Sequence, residues 1–296
     1  MAVIAPAGPV PHPDLDRGIQ ELRRLGLDPQ WRDDLFEKDG FTAGKLERRR
    51  AEWVGAWQDH QIRAIFAARG GAGAAELLPI DPIHPPAEGL AVFSGYSDLT
   101  FLHAALQKQR LVTFYGPMVS LELARGENQS GGYDGSLLRR LLFEGSPGGV
   151  IAPEGTDVLR SGVAEGRLAG GCLSLLSALW GTAEAPDLED TVLLLEDEKE
   201  APYKVARYLE QLKRGGAFRG VRAVILGEFP ESTPEPVDSP PVNAIAQRFF
   251  ADFPGPVLWG FPAGHATRPN LTLPLGTWVK VDGATASLEL LEPAVR

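Results

Sequence analysis

Short apolar runs alternate with stretches of helical periodicity along the first part of the chain. Residues 2–5 read as a strand, and residues 15–25 as a helix with Leu15, Ile19, Leu22 and Leu25 on one face. A second strand over 63–68 runs into the cluster Arg69-Gly70-Gly71-Ala72-Gly73 and a short helical stretch. A third strand over 90–94 leads into a helix over 99–108. Strands that alternate with helices in this way predict a mostly parallel sheet covered on both faces.

The pattern changes between residues 124 and 153, where seven glycines surround one helical patch near 137–143. This reads as a crossing between domains. Beyond it, strands are expected over 191–195, 221–226 and 256–259, and an amphipathic helix over 202–213 with Gly215 past its end. Residues 230–241 form a proline-rich loop, and residues 278–281 and 286–291 form a hairpin around Asp282-Gly283. The expected division is an N-terminal α/β domain over 1–124, a crossing over 125–153 and a C-terminal domain over 154–296. A length of 296 residues is enough for two cores.

Composition narrows the function. A formal net charge of -10 argues against a nucleic-acid partner, although a local basic pocket remains compatible with it. The single cysteine, Cys172, excludes an internal disulfide framework and a cysteine-rich metal site. The N-terminus lacks a signal-peptide pattern, and no apolar run approaches the ~20 residues of a membrane helix. A cytoplasmic location without a membrane is therefore expected.

Ser97 lies between a strand and a helix, in Phe93-Ser94-Gly95-Tyr96-Ser97-Asp98. A serine there either caps the helix or attacks a carbonyl while the Asp98 N–H receives the oxyanion. The Gly-x-Ser-x-Gly elbow is incomplete, because Leu99 occupies its last position. Of five histidines, His12, His60 and His84 sit in polar or proline-flanked segments, and His103 shares an apolar helix face. His265 follows a strand in a loop that contains Gly264, and elimination leaves it as the base. Glu196 ends the strand over 191–195 and is followed by Asp197 and Glu198. The run either enters solvent or supplies, through its first acid, a partner for the imidazole. The glycine cluster fails the dinucleotide fingerprint, since its third glycine position is Glu76. It reads better as a close backbone approach that supplies a second oxyanion N–H. No metal or cofactor motif is present, so none is expected.

Read together, these segments resemble the LD-carboxypeptidase family of serine peptidases, which also includes microcin-immunity peptidases. The resemblance runs nearly end to end. It is carried by Ile4-Ala5-Pro6-Ala7-Gly8-Pro9, Phe41-Thr42-Ala43-Gly44-Lys45 with Arg49, the cluster 69–73, and Gly95-Tyr96-Ser97-Asp98-Leu99-Thr100. It continues through Gly116-Pro117-Met118, residues 166–176, Leu195-Glu196-Asp197, Pro202-Tyr203 with Arg207, and Gly264-His265. The resemblance implies a flavodoxin-like N-terminal domain, a C-terminal swivelling β/α domain and a homodimer. It places a Ser-Glu-His triad on Ser97, Glu196 and His265, with oxyanion donors on Asp98 and Gly71. The implied reaction is release of the terminal D-alanine of a murein tetrapeptide in cell-wall recycling, without a cofactor.

Three positions depart from the family pattern: Ala72 for a tyrosine, Tyr115 for a histidine and Cys172 for an asparagine. Each changes a polar group near the expected site. They keep two other readings open: an immunity peptidase that cleaves an aminoacyl-nucleotide amide, and a muropeptide-binding homologue without catalysis.

Overall fold

A computed structural model describes residues 1–83, 92–144, 149–234 and 238–295. His84, Leu90 and Ala91, with Gly145 and Gly148 of the glycine-rich crossing, lie outside the described residues.

The first sheet is built from β1 (Ala2–Ile4), β2 (Ala64–Ala67), β3 (Val92–Gly95) and β4 (Thr113–Tyr115), which pair in parallel in that order. Gln30 bridges the outer side of β1 in parallel, and the Val3 N–H donates to its carbonyl at 2.8 Å. That bridge occupies the edge beyond β1, which gives the flavodoxin-like order with its second strand reduced to one contact. Helices α1 (His12–Arg24), α2 (Leu46–Gln58) and α3 (Thr100–Lys108) form the connections, and α4 (Gly135–Phe143) follows. In α1, Leu15, Ile19 and Leu22 are buried, Pro13 occupies the first turn and Arg23 and Arg24 the last. This charge placement complements the helix dipole.

The second half supplies β5 (Gly149–Ile151), β6 (Asp157–Arg160), β7 (Val163–Cys172), α5 (Leu173–Leu179), β8 (Thr191–Glu196) and α6 (Pro202–Arg214). It continues with β9 (Val221–Leu226), α7 (Val242–Phe249), β10 (Val257–Trp259), β11 (Leu273–Leu275), β12 (Trp278–Asp282) and β13 (Ser287–Leu290). Eight of these strands form one mixed sheet in the order β5-β13-β12-β7-β8-β9-β10-β6. Every residue of β8 is buried, as expected for a central parallel strand covered on both faces. The remaining strand, β11, leaves its own half and pairs antiparallel with β4, so it closes the first sheet.

Of the elements that the pattern reading left out, two show why. In β7, Gly166, Gly170 and Gly171 interrupt the apolar alternation, yet the strand lies at the heart of the second sheet. A Cβ at Gly170 would stand 2.0 Å from the Leu194 carbonyl oxygen, so the glycine permits a close approach to β8. Helix α2 was hidden by buried charges: Arg48, Arg49 and Glu52 face inward together with Trp53. Among the described residues, no helix is long and apolar enough to cross a membrane.

Candidate active site

Ser97 occupies the turn between β3 and α3 with φ +63, a left-handed conformation that costs a non-glycine residue about 1–2 kcal/mol. The surroundings hold it there. The Thr100 hydroxyl donates to the Ser97 carbonyl at 2.7 Å, and the Tyr96 hydroxyl donates to Glu122 Oε1 at 2.7 Å. His103 is fully buried between the Gly95 carbonyl and the Thr113 hydroxyl, each 2.8 Å from a ring nitrogen. Because a carbonyl can only accept, Nε2 carries the proton and Nδ1 accepts from Thr113. Burial pushes the His103 pKa down to about 4, so the ring is a neutral brace for the end of β3.

The glycine cluster lies against this turn. A Cβ at Gly70 would stand 2.8 Å from Ser97 Cβ, 3.0 Å from its Oγ and 3.5 Å from the Asp98 nitrogen. Only a residue without a side chain leaves that space open. Two buried side chains fix the loop. Asp98 Oδ2 accepts from the Ala74 N–H at 2.8 Å, and Arg49 Nη1 donates to the Gly73 carbonyl at 2.6 Å while pairing with Glu76. Glu76, the residue that breaks the dinucleotide fingerprint, is thus the charge partner of a buried arginine. Burial raises the Asp98 pKa to about 6, against the opposing effect of the Ala74 N–H and Arg49.

From the second sheet, β8 ends on Glu196, which is completely buried. Its Oε2 accepts from His265 Nδ1 at 2.8 Å and from the His265 backbone N–H at 2.9 Å. Its Oε1 accepts from the Tyr115 hydroxyl at 2.5 Å. Two glycines let the chain pass this carboxyl: a Cβ at Gly264 would lie 2.4 Å from Glu196 Cδ, and one at Gly227 2.4 Å from Glu196 Cβ. Burial alone would raise the Glu196 pKa, but His265 and the Tyr115 hydroxyl hold it below the ordinary carboxylate value. Burial likewise pulls His265 down, and the carboxylates of Glu196, Glu198 and Asp197 overcome it, lifting its pKa to about 9. Since Nδ1 donates to Glu196, Nε2 is the nitrogen left to exchange protons. It faces Glu198 Oε1 at 3.4 Å, and the Tyr96 ring packs edge-on with centroids 5.0 Å apart.

Ser97, Tyr96, Gly70, Gly71 and His265 line one cavity of about 390 Å³. The structure therefore brings Ser97, Gly71 and His265 to one space, with Glu196 behind the imidazole. The Asp98 carboxylate points away, toward Ala74. Of the departures from the family pattern, Tyr115 turns out to be a hydrogen-bond donor to Glu196, whereas Cys172 is buried opposite Glu196 in the strand register. Ala72 is half-buried in the glycine loop. Glu198 and Tyr115 were not among the sequence candidates. Glu198 was visible only as one of three consecutive acids, and nothing local marks Tyr115 as a partner of a residue eighty-one positions away. Among the described residues, no group of three His, Cys, Asp or Glu side chains is arranged to hold a metal ion.

Comparison with known proteins places this arrangement. The LD-carboxypeptidase N-terminal domain matches residues 1–116, and the LD-carboxypeptidase C-terminal domain matches residues 165–281. A putative carboxypeptidase of Streptomyces coelicolor is 36% identical, over 100% of this chain and 94% of its own. A probable murein peptide carboxypeptidase of Bacillus subtilis is 31% identical, over 98% and 91%. Among solved structures, the muramoyltetrapeptide carboxypeptidase of Oxalobacter formigenes superposes with a TM-score of 0.80 at 27% identity, covering 98% of each chain. The microcin C7 self-immunity protein of Escherichia coli superposes at 0.86 with 24% identity, over 100% of this chain and 96% of that one, a likeness of fold. These neighbours share the two-domain fold, with its flavodoxin-like first domain and swivelling β/α second domain. The chain belongs to the LD-carboxypeptidase family of peptidases.

Proposed function

We propose that this protein is a serine-type LD-carboxypeptidase that hydrolyses the L,D-peptide bond before the terminal D-alanine of murein tetrapeptides. In this reading it works in the cytoplasm, as a homodimer, and without a cofactor. The observation that carries it is the pairing of buried Glu196 with His265, 2.8 Å apart, at the cavity that the strained Ser97 also lines. The names of the relatives from Bacillus subtilis and Oxalobacter formigenes support the substrate class. Residues 1–124 would carry the nucleophile and residues 154–296 the acid and base, with 125–153 crossing between them.

Neutral His265 takes the Ser97 hydroxyl proton on Nε2 as Oγ attacks the carbonyl that precedes the D-residue. Glu196 stays ionised, fixes the tautomer through Nδ1 and stabilises the imidazolium. The oxyanion is received by the backbone N–H groups of Asp98 and Gly71, each such donor contributing on the order of a hundredfold in turnover. The imidazolium then protonates the departing amine, the C–N bond breaks and D-alanine leaves. Water, deprotonated by His265, attacks the Ser97 ester; the acyl C–Oγ bond breaks, the imidazolium returns its proton to Oγ, and the shortened peptide leaves as its acid.

The test is D-alanine release from a murein tetrapeptide by the parent protein and by Ser97→Ala. Release by the parent, reduced at least a thousandfold in the variant, is the expected result. Equal turnover by Ser97→Ala would overturn the nucleophile. If the parent binds the peptide without cleaving it, the protein is a muropeptide-binding homologue. If it cleaves only an aminoacyl-nucleotide amide, it is an immunity peptidase.

A further inference from the structure

Besides His265, six charged side chains line the cavity: Arg69, Arg125, Lys199, Glu122, Glu198 and Glu231. Five of them pair with one another, two cations against three carboxylates. Arg125 lies 3.7 Å from Glu122, and Lys199 lies 3.1 Å from Glu198 and 3.8 Å from Glu231. Arg69 forms no ion pair with any described residue. Its Nη1 donates to the Pro9 carbonyl at 3.3 Å, and its Nε is buried without a hydrogen-bond partner. A half-buried guanidinium with a donor left over is costly unless an acceptor completes it, and an anionic acceptor bonds it most strongly.

Its place in the chain says where that negative group would sit. Arg69 immediately precedes Gly70, whose Cα faces the Ser97 side chain closely enough that a Cβ would collide with it. Arg69 lines the cavity next in the chain to the glycine that faces the nucleophile. A peptide cleaved at its last bond carries a carboxylate only two atoms beyond the leaving nitrogen. A planar guanidinium fork binds a carboxylate through two parallel N–H···O bonds.

We infer that Arg69 is the specificity-determining residue that receives the terminal carboxylate of the substrate, and so makes the site a carboxypeptidase rather than an endopeptidase. The inference rests on the reaction proposed above and assigns its end-group recognition. Pairing Arg69, a lining cation without an ion pair among the described residues, with the substrate carboxylate also fixes which peptide bond reaches Ser97. A blocked C-terminus leaves the guanidinium unpaired, so discrimination arises from the penalty on the wrong substrate as much as from attraction to the right one.

The experiment compares kcat/KM for a murein tetrapeptide ending in free D-alanine with that for the same peptide ending in D-alaninamide. The parent is expected to prefer the free acid by about a hundredfold or more, the range lost when one partner of a desolvated charge pair is removed. Arg69→Met should act on both peptides at similar low rates, so that the preference collapses. Arg69→Lys, which keeps the charge but loses the fork, should fall between them. Labelling of Ser97 by a fluorophosphonate verifies that each variant site is assembled. A free-acid preference that persists undiminished in both variants overturns the role of Arg69 while leaving the reaction intact. Absence of D-alanine release by the parent overturns the reaction itself, and this inference with it.

Discussion

Glu198 shows how one half-buried carboxylate reshapes a catalytic group. It stands 3.4 Å from His265 Nε2, the nitrogen that must be free to accept the serine proton. With Glu196 on the other nitrogen and Asp197 close by, the imidazole is held protonated up to about pH 9. Activity that needs the neutral ring should rise with pH toward that value. Replacing Glu198 with glutamine removes one of the charges that favour the imidazolium. The midpoint of the kcat/KM profile should move to lower pH, and the rate at neutral pH should increase. An unchanged midpoint in Glu198→Gln would remove Glu198 from this role. The same raised pKa contributes stability that is complete below the ordinary histidine value of about 6.5 and is lost as pH climbs through 9.

At the scale of elements, the informative pair is the glycine loop and the Ser97 turn. The loop belongs to the segment after β2 and the turn to the segment after β3, and parallel pairing of those strands puts both at the same sheet edge. This is where α/β sheets place their sites. Asp98 and Arg49 then clamp the loop from either side, and Gly70 leaves the space that Ser97 fills. Gly70→Ala should therefore lower turnover by about a hundredfold or more by displacing the nucleophile, with secondary structure by circular dichroism unchanged. Near-parental turnover would show that the loop has room the distances deny.

The whole molecule is held at its site by contacts between the two sheets. Tyr115 ends β4 of the first sheet and donates to Glu196 at the end of β8 in the second, while β11 carries the second half of the chain into the first sheet. Tyr115→Phe leaves a fully buried carboxylate oxygen without its donor, a loss of about 1–3 kcal/mol in urea unfolding. Turnover should fall with it, because Glu196 then holds His265 less firmly. A stability equal to that of the parent would indicate that the hydroxyl contact adds nothing.

The sequence by itself determined what local pattern can encode. Strand and helix alternation in the first domain, the amphipathic α6 and the strand-to-helix turn at Ser97 all follow from periodicity and turn chemistry within a few residues. Glu196 was legible because a buried apolar run ends on it, and His103 because it shares its helix face with leucines. Tertiary structure alone decided the rest. Glu196 and His265 are separated by sixty-nine positions, Tyr115 and Glu196 by eighty-one, and no local preference sets contacts across such spans. The glycines of β7 and the inward charges of α2 are unfavourable in isolation, and distant partners give them a use: the β8 backbone, the Ala5 amide, which donates to Glu52 at 2.8 Å, and the Gly73 carbonyl and Glu76, which receive Arg49. A local segment fixes its own backbone preference. Which distant segment satisfies its buried polar groups depends on strand register and packing, and that decided the geometry of the site.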